Sequence, residues 1–241
     1  MAMGIVVQAR MGSSRLPGKV LADLAGAPVI GRVIERLRRV RGNPTLVVAT
    51  SSLPGDDPLA EVVSQMPGVG LWRGSESDVL KRYADAARQF DLDPVIRVTG
   101  DCPLLEPMVI ERTLDAFGDG AFDYADNLVP RTYPHGFDVQ VVSRHALEIA
   151  DKEATEAADR EHVLPFVNRQ PQRFAATHVV SEIEPCPELR LTLDYPEDLL
   201  LIRGIYERLY PANPAFGLRD ILDLRKTEPA LFEVNAARRQ F

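Results

Sequence analysis

The sequence of 241 residues contains few cysteines, no long apolar run and no excess of positive charge. Its two cysteines, Cys102 and Cys186, are too few for a disulfide framework and lack the spacing of zinc ligands. No apolar run approaches the ~18 residues of a membrane-spanning helix, so no membrane partner is expected. The formal net charge of −7 argues against a general nucleic-acid binder. Such a protein can bind phosphate groups only where its basic residues are clustered.

The rest of the composition is that of an ordinary globular protein. Hydrophobic residues make up 45% and charged residues 26% of a chain that is long enough to bury a large core. The sequence shows no linker, internal repeat or low-complexity tract, so a single domain over residues 1–241 is expected. The first four residues lead straight into a strand and leave no room for a signal peptide, which favours a cytoplasmic location.

Apolar strands alternate with amphipathic helices through the first half of the chain. The spacing of Ile30, Val33 and Ile34, continued by Leu37, is typical of the buried face of a helix. This alternation predicts an α/β fold of the Rossmann type, in which helices cover both faces of a mostly parallel sheet. The predicted strands are 4–8, 45–50, 69–72 and 94–99, and the predicted helices are 28–40, 57–66, 77–90 and 107–117.

The pattern changes after residue 120. Segments 122–124 and 137–142 are typical of strands without intervening helices, which predicts a small subsidiary lobe of mixed strands over about residues 120–180. A helix with proline in its first turn is expected from Pro196 to about residue 209. The remaining predicted elements are a helix near 157–169 and strands near 173–180 and 189–194.

The segment QARMGSSRLPGKVL, residues 8–21, follows the first strand and combines cations with small residues. Arg10, Arg15 and Lys19 can neutralise a polyanion, while the small residues let backbone N–H groups approach it closely. This combination at the end of a first strand favours a nucleotide-phosphate site over a merely solvated basic loop. The loop is not a Walker A motif, since Val20 follows Lys19. The nucleotide-binding candidates within the loop are Ala9, Gly12, Ser13 and Ser14.

Two aspartates follow apolar segments that are predicted to be strands. Asp101 follows the strand over 94–99, and Asp194 follows the segment from Leu189 to Leu193. Open α/β sheets bind ligands at the carboxyl ends of their strands, and carboxylate oxygens there suit Mg²⁺. Asp101 and Asp194 are therefore the predicted metal ligands. Asp194 has a second interpretation as the N-cap of the helix that begins at Pro196.

Two further strand ends are predicted to face the nucleotide. Thr50 lies at the end of the second strand, and Arg73 and Gly74 end the third. Arg73 has two interpretations that the sequence supports equally, a reader of the base and an ordinary surface charge.

The loop also resembles the N-terminal signature of cytidylyltransferases that make CMP-linked acidic sugars. The similarity is greatest to the spore-coat polysaccharide branch, next to the CMP-KDO and acylneuraminate synthetases. This resemblance implies a Rossmann-like nucleotidyltransferase fold of the GT-A type, a homodimer, Asp101 and Asp194 as Mg²⁺ ligands, and a pyrimidine beside Arg73 and Gly74. The further matching segments are VVATS (47–51), RGSESDVLKRY (73–83), RVTGDCPLLEP (97–107), TYPHGFDVQVVS (132–143) and RLTLDYPEDLLLI (190–202).

The acceptor site is expected over the subsidiary lobe. The branch often has Asp at the position of His135 and Glu at that of Gln140, so two negative charges are missing here. An acidic acceptor predicts an unpaired cation in its pocket, and Arg131 and Arg160 are the candidates unless nearby acids neutralise them. The complete set of acceptor-binding candidates is Asn127, Arg131, Tyr133, Asp138, Arg160 and Glu161.

The preferred function is therefore a Mg²⁺-dependent cytidylyltransferase. It would transfer CMP from CTP to a small anionic acceptor, either an acidic sugar or a phosphonate, and release pyrophosphate. Arg10, Arg15, Lys19 and Asp101 are the predicted catalytic residues. Two alternatives remain at this stage, a metal-dependent glycosyltransferase that uses a nucleotide sugar and a nucleotide-binding module without catalysis.

Overall fold

The computed structural model describes residues 2–118 and 120–238. Short 3₁₀ turns lie at Lys19–Leu21, Pro54–Asp56 and Ala236–Arg238. The strands are β1 (Ala2–Gln8), β2 (Asp23–Leu24), β3 (Ala27–Pro28), β4 (Thr45–Ser51), β5 (Val69–Gly74), β6 (Leu92–Thr99), β7 (Tyr124–Asp126), β8 (Gln140–Val142) and β9 (Ala176–His178). The helices are α1 (Val29–Leu37), α2 (Asp57–Ser64), α3 (Val79–Gln89), α4 (Pro107–Phe117), α5 (Arg144–Glu153), α6 (Ala157–His162), α7 (Pro165–Asn168), α8 (Pro196–Leu209), α9 (Leu218–Thr227) and α10 (Pro229–Phe232).

The central sheet has seven strands in the order β5-β4-β1-β6-β8-β7-β9. Strands β5, β4, β1 and β6 are parallel, whereas β8 runs antiparallel to both β6 and β7. The chain moves from β1 through β4 to β5 and then crosses to β6 on the other side of β1. Strand β1 therefore lies at the topological switch point, where open α/β sheets bind ligands.

The sequence of β1 explains its central position. Ile5, Val6 and Val7 are completely buried on both sides of the sheet, as expected for a parallel strand covered by helices. Ile5 and Val7 join the core on one sheet face, together with apolar residues of α1, α4 and α8. Val6 joins the core on the other face, together with residues of α3 and α5. The mostly parallel α/β fold predicted from the sequence is confirmed.

The second half of the chain differs from the prediction in three respects. Helix α5 was not predicted, and the helix expected over 157–169 is divided into α6 and α7. The segment from Leu189 to Leu193 is not a strand, although Arg190 forms an isolated parallel bridge with His135. Its apolar side chains are buried because the segment crosses the core, and burial alone produces an apolar run without sheet pairing.

The strand expected over 137–142 is short and lies inside the sheet. Only Gln140–Val142 forms β8, which pairs with β6 on one side and β7 on the other. Phe137, Val139 and Val141 are completely buried. The strands of the expected subsidiary lobe thus extend the central sheet. Among the described residues, no helix has the length and apolar character required to cross a membrane.

Candidate active site

The loops after β1 and β6 meet at the carboxyl edge of the sheet. The backbone N–H of Gly100 donates to the carbonyl of Gln8 at 2.8 Å. A Cβ atom added at Gly100 would lie 2.8 Å from the Cβ of Ala9, which is closer than packed carbon atoms approach. Glycine therefore allows the candidate phosphate loop, residues 9–18, to lie directly against the loop that carries Asp101.

The candidate phosphate loop folds around one backbone carbonyl. The N–H groups of Ser13 and Gly18 both donate to the carbonyl of Met11, at 2.9 and 3.0 Å. The hydroxyl of Ser13 accepts a bond from the N–H of Leu16 at 3.3 Å. Gly18 has φ of 71°, in the left-handed region that favours glycine. These bonds turn the chain back so that Lys19 points into the site.

Asp56 is a functional candidate that the sequence did not reveal. Its carboxylate accepts the N–H of Met11 at 2.6 Å and, on its other oxygen, the N–H and hydroxyl of Ser51 and the hydroxyl of Thr50. Burial alone would raise the pKa of Asp56, but the bonds from Ser51, Met11 and Thr50 lower it below its ordinary value. Asp56 thus fixes the phosphate loop to the end of β4.

The ammonium group of Lys19 joins the two predicted metal ligands. Its Nζ lies 2.8 Å from Oδ2 of Asp101, 2.8 Å from Oδ1 of Asp194 and 2.7 Å from the carbonyl of Leu193. Burial by itself would lower the pKa of Lys19, but Asp101 and Asp194 raise it. The structure therefore brings these three predicted residues into one cluster.

Asp194 is surrounded by cations. Besides Lys19, Arg15 contacts its Oδ1 at 2.8 Å and Arg190 contacts its Oδ2 at 2.7 Å. Burial would raise the pKa of Asp194, but Lys19, Arg190 and Arg15 bring it down to about 2. The carboxylate is consequently ionised at neutral pH. Arg190 is a second residue of the site that the sequence reasoning did not single out.

The N-cap interpretation of Asp194 is wrong. Helix α8 has Tyr195 at its N-cap position. The buried carboxylate of Asp198 accepts the N–H groups of both Asp194 and Tyr195 at 3.0 Å. Asp198 also accepts bonds from Arg190. Asp198, in the first turn of α8, thus caps the N-terminus of this helix. The carboxylate of Asp194 instead contacts Arg15, Lys19 and Arg190.

The donor set around Lys19 suits a hard divalent cation. Two carboxylates and a carbonyl oxygen already surround one positive charge at 2.7–2.8 Å. The described residues contain no group of three or more His, Cys, Asp or Glu side chains placed to hold a metal. Mg²⁺ usually takes only one or two protein carboxylates and keeps water or phosphate oxygens for the rest, so Asp101 and Asp194 fit it.

Two cavities lie side by side above the sheet edge. The smaller, of about 200 Å³, is lined by the phosphate loop together with Lys19, Asp101 and Asp194. The larger, of about 540 Å³, lies between residues 76–79 and α6. Gln8 and Arg10 line both cavities. Within the described residues, Arg10 has no ion pair, so its charge is available to a ligand.

Four nucleotide-binding candidates are not among the residues that line either cavity, namely Gly12, Thr50, Arg73 and Gly74. Thr50 is completely buried and donates to Asp56. Arg73 bonds the carbonyls of Ser51 and Leu53, each at 2.9 Å, and pairs with Asp57. These contacts brace the loop after β4. Gly74 also supports this loop, because its carbonyl accepts the N–H of Ser52 at 2.8 Å.

Most of the acceptor candidates are engaged with protein groups. Asn127 is buried and bonds the carbonyl of Phe137 and the N–H of Val139, which closes the intervening loop. Arg131 forms a two-bond ion pair with Asp138 at 2.7 and 3.3 Å. Tyr133 is buried in the core. Burial and the charge of Arg131 lower the pKa of the neighbouring half-buried His135.

Arg160 is likewise paired, although not with its neighbour Glu161. Its guanidinium bonds both oxygens of Asp78 at 2.8 and 2.7 Å and one oxygen of Asp151 at 2.9 Å. Arg160 and Glu161 line the larger cavity. The unpaired cation expected at Arg131 or Arg160 is therefore found at neither position, whereas Arg10 meets that description.

Comparison with known proteins agrees with this geometry. A family model described as cytidylyltransferase matches residues 4–209. The chain belongs to the cytidylyltransferase family. It is accordingly a CTP-dependent nucleotidyltransferase. The match begins in β1, includes the phosphate loop, Asp101 and Asp194, and ends with α8.

Individual relatives of this cytidylyltransferase cover almost the whole chain. The spore coat polysaccharide biosynthesis protein SpsF of Bacillus subtilis is 32% identical over 93% of this chain and 94% of its own length. A solved cytidylyltransferase from Leptospira borgpetersenii has a TM-score of 0.89 at 30% identity, over 96% of this chain and 97% of that one. A CMP-2-keto-3-deoxy-manno-octonic acid synthetase complexed with CTP shares the fold, with a TM-score of 0.65 at 20% identity over 86% of this chain and 99% of its own.

Proposed function

We propose that this cytidylyltransferase transfers CMP from CTP to a small anionic acceptor and releases pyrophosphate. The observation that carries the proposal is the cluster of Lys19, Asp101 and Asp194 at the floor of the phosphate-loop cavity. A buried cation held between two carboxylates is suited to stabilising charge that develops on a phosphoryl group.

The two adjacent cavities suit the two parts of CTP. The smaller cavity has a polar lining and several cations, as a triphosphate requires. The larger cavity begins at Gln8 and Arg10 and extends to α6, which gives the nucleoside a separate compartment. In this arrangement Arg10 lies at the junction of the two parts, where its unpaired charge can contact a phosphate oxygen.

Asp101 and Asp194 would hold Mg²⁺ in this proposal. The ion would supply neutralisation of phosphate charge and polarisation of the phosphorus–oxygen bonds. The ammonium group of Lys19 contacts the same oxygen atoms of Asp101 and Asp194, together with the carbonyl of Leu193. The ammonium group is then free to donate to the phosphates when it leaves these ligands, while Arg15 and Arg190 remain to hold Asp194 in place.

An acidic sugar of the nonulosonic acid or KDO class, or a phosphonate, is the proposed acceptor. Support comes from SpsF and from a 3-deoxy-manno-octulosonate cytidylyltransferase of Anaeromyxobacter, which is 40% identical over 49% of this chain and 48% of its own length. An acceptor oxygen forms the new bond to the α-phosphorus, and the bond to the pyrophosphate oxygen breaks. The pair of Arg131 and Asp138 lies beside His135, whose backbone forms a bridge with Arg190, and Arg190 in turn contacts Asp194.

The test is an acceptor screen with CTP and Mg²⁺ that measures pyrophosphate. The proposal predicts release only in the presence of an anionic acceptor and a large loss of rate in Asp101→Asn, which keeps size but removes charge. Turnover that requires a nucleotide sugar and no CTP would instead identify a glycosyltransferase. Tight binding of CTP without turnover across a broad panel would indicate a binding module.

A further inference from the structure

The C-terminal part of the chain returns to the candidate active site. Helix α10 packs against the middle of α8, where a Cβ atom added at Gly204 would lie 2.6 Å from Cδ1 of Leu231. Phe232, the last residue of α10, is buried in the core. Three residues later the chain reaches Asn235, which contacts the first turn of α8. Asn235 lies beyond residues 4–209, the segment that matches the family model.

Asn235 is buried and donates two hydrogen bonds in this region. Only 1% of its surface is exposed. Its Nδ2 donates to the carbonyl of Arg190 at 3.0 Å and to Oδ1 of Asp198 at 2.8 Å. Its own Oδ1 has no hydrogen-bond partner among the described residues. Leucine has the same branched shape and would bury no unpaired polar atom, so packing alone does not explain an asparagine here. The two donated bonds do explain it.

Both acceptors of these bonds hold Asp194, one of the two predicted metal ligands. Nη2 of Arg190 contacts Oδ2 of Asp194 at 2.7 Å, and Oδ2 of Asp198 accepts the backbone N–H of Asp194 at 3.0 Å. Arg190 and Asp198 also bond each other, with Nε 3.1 Å from Oδ1. Asp198 is completely buried, and a buried carboxylate depends on the donors around it. Asn235 thus completes a network that holds Asp194 by its side chain and its backbone.

The turn that follows Asn235 makes a contact of its own beside the site. The guanidinium carbon of Arg238 lies 4.3 Å from the centre of the Tyr195 ring, and its Nη2 lies 3.1 Å from Oε1 of Glu197. Arg15 lies 4.9 Å from the same ring. The end of the chain is therefore fixed against the start of α8 on either side of the bonds that Asn235 donates, by α10 before it and by Arg238 after it.

We propose that Asn235 is a positioning residue for Asp194, an inference that rests on the proposed role of Asp194 as a metal ligand. Asn235 holds Arg190 and Asp198 in the places from which they orient Asp194. Replacement of a residue that supports a metal ligand typically changes metal affinity by about 10- to 100-fold. Asn235 acts through these two residues, so the lower end is expected. Because Asn235 is uncharged, its replacement leaves the charge around the metal unaltered.

The first test measures the binding of Mn²⁺ alone, without nucleotide, by electron paramagnetic resonance titration. Asn235→Leu should bind Mn²⁺ about 10-fold more weakly than the wild type. Asn235→Ser keeps a hydroxyl donor and should lie between the two. Equal affinity in the wild type and Asn235→Leu would overturn the proposal. A Ser variant that binds more weakly than the Leu variant would also overturn it, because packing rather than donation would then control the site.

A second variant separates positioning from a general loss of stability. Ile221→Ala removes a completely buried apolar side chain from α9 and should lower the melting temperature at least as much as Asn235→Leu. It should nevertheless keep the Mn²⁺ affinity of the wild type. The Mg²⁺ concentration for half-maximal turnover should likewise rise about 10-fold in Asn235→Leu and stay unchanged in Ile221→Ala. Equal weakening of Mn²⁺ binding in both variants would contradict the proposal.

A double-mutant cycle tests whether Asn235 acts through Arg190. In the Arg190→Met background, Asn235→Leu should weaken Mn²⁺ binding by about 3-fold or less, because one of the two residues that it positions is already gone. The same factor in both backgrounds would overturn the proposal. A wild type that binds no Mn²⁺ would reject the proposed metal site as well, whereas a wild type that binds Mn²⁺ no better than Asn235→Leu rejects this inference alone.

Discussion

At the scale of single residues, Lys19 connects the phosphate loop with both predicted metal ligands. The sequence singles out Lys19 as a site candidate because cations and glycines follow the first strand. It singles out Asp101 and Asp194 because each follows an apolar segment. Their contact was not predictable, since Lys19 and Asp194 are separated by 175 residues. Asp56 and Arg190 escaped prediction because acids and bases that serve internal hydrogen bonds have no distinctive local pattern.

We predict that Lys19→Met lowers turnover by a factor on the order of 10² to 10³, because one preorganised charge is lost from the transition state. The same variant should bind Mn²⁺ more tightly than the wild type in the absence of nucleotide. The reason is that the ammonium group no longer occupies the oxygens of Asp101 and Asp194. Electron paramagnetic resonance titration measures this affinity.

The control is Lys226→Met, which removes an exposed lysine paired with Asp223. It should leave both turnover and Mn²⁺ affinity unchanged. Unaltered turnover in Lys19→Met would exclude Lys19 from the mechanism. Weaker Mn²⁺ binding in that variant would show that the lysine does not compete with the metal.

We predict that Asp56→Asn destabilises the protein by about 3 kcal/mol at pH 7, because a buried carboxylate with several donors is replaced by a group that cannot accept them all. The pKa of Asp56 is lowered in the folded state. Its contribution is therefore fully present above the ordinary value of 3.8 and is lost as the pH falls below it. Urea unfolding at pH 7 and pH 3 should show that the difference from wild type shrinks at the lower pH.

Asp57→Asn provides the matched comparison for Asp56→Asn. Asp57 is the next residue, and its side chain is 61% exposed in an ion pair with Arg73. Exposed pairs contribute about 1 kcal/mol or less, so this substitution should have a small effect. If the two variants have equal stability at pH 7, Asp56 does not anchor the phosphate loop.

At the scale of elements, prediction succeeded where strands and helices alternate and failed where the chain crosses the core. Helices α2 and α4 and the parallel strands agree with the sequence pattern within a few residues. Helix α5 was missed because Arg144–Glu153 has only three buried apolar residues and an otherwise charged surface. The run from Leu189 to Leu193 was assigned to a strand because periodicity cannot distinguish a buried irregular segment from a buried strand.

The junction of the loops after β1 and β6 gives a prediction at this scale. Gly100→Ala places a methyl group 2.8 Å from the Cβ of Ala9 and should destabilise the protein by about 1–3 kcal/mol. It should also reduce turnover, because Asp101 moves relative to the phosphate loop. Gly55→Ala, where an added Cβ meets no atom within 4 Å, is the control. Equal melting temperatures for the two variants would show that the two loops are not in tight contact.

At the scale of the whole molecule, the order of the strands puts β1 at the topological switch point, beside which the candidate site lies. Burial on both faces of the sheet explains why the parallel strand β1 is a continuous apolar run. The homodimer implied by sequence resemblance stays a prediction. The segment over 137–142 gives no physical reason to expect it, since Gln140–Val142 is paired between β6 and β7 and needs no second chain. Light scattering at micromolar concentration should give twice the chain mass of 26.7 kDa. A mass equal to one chain would contradict the prediction.

The central claim is transfer of CMP through attack at the α-phosphorus of CTP. The most direct measurement incubates the enzyme with Mg²⁺, an anionic acceptor and CTP labelled in either the α- or the β-phosphate. The account predicts that the α-label appears in an acceptor–CMP adduct identified by mass spectrometry and that the β-label appears in pyrophosphate, in equal amounts. Appearance of the β-label in CDP, or of the α-label only in free CMP, would contradict it.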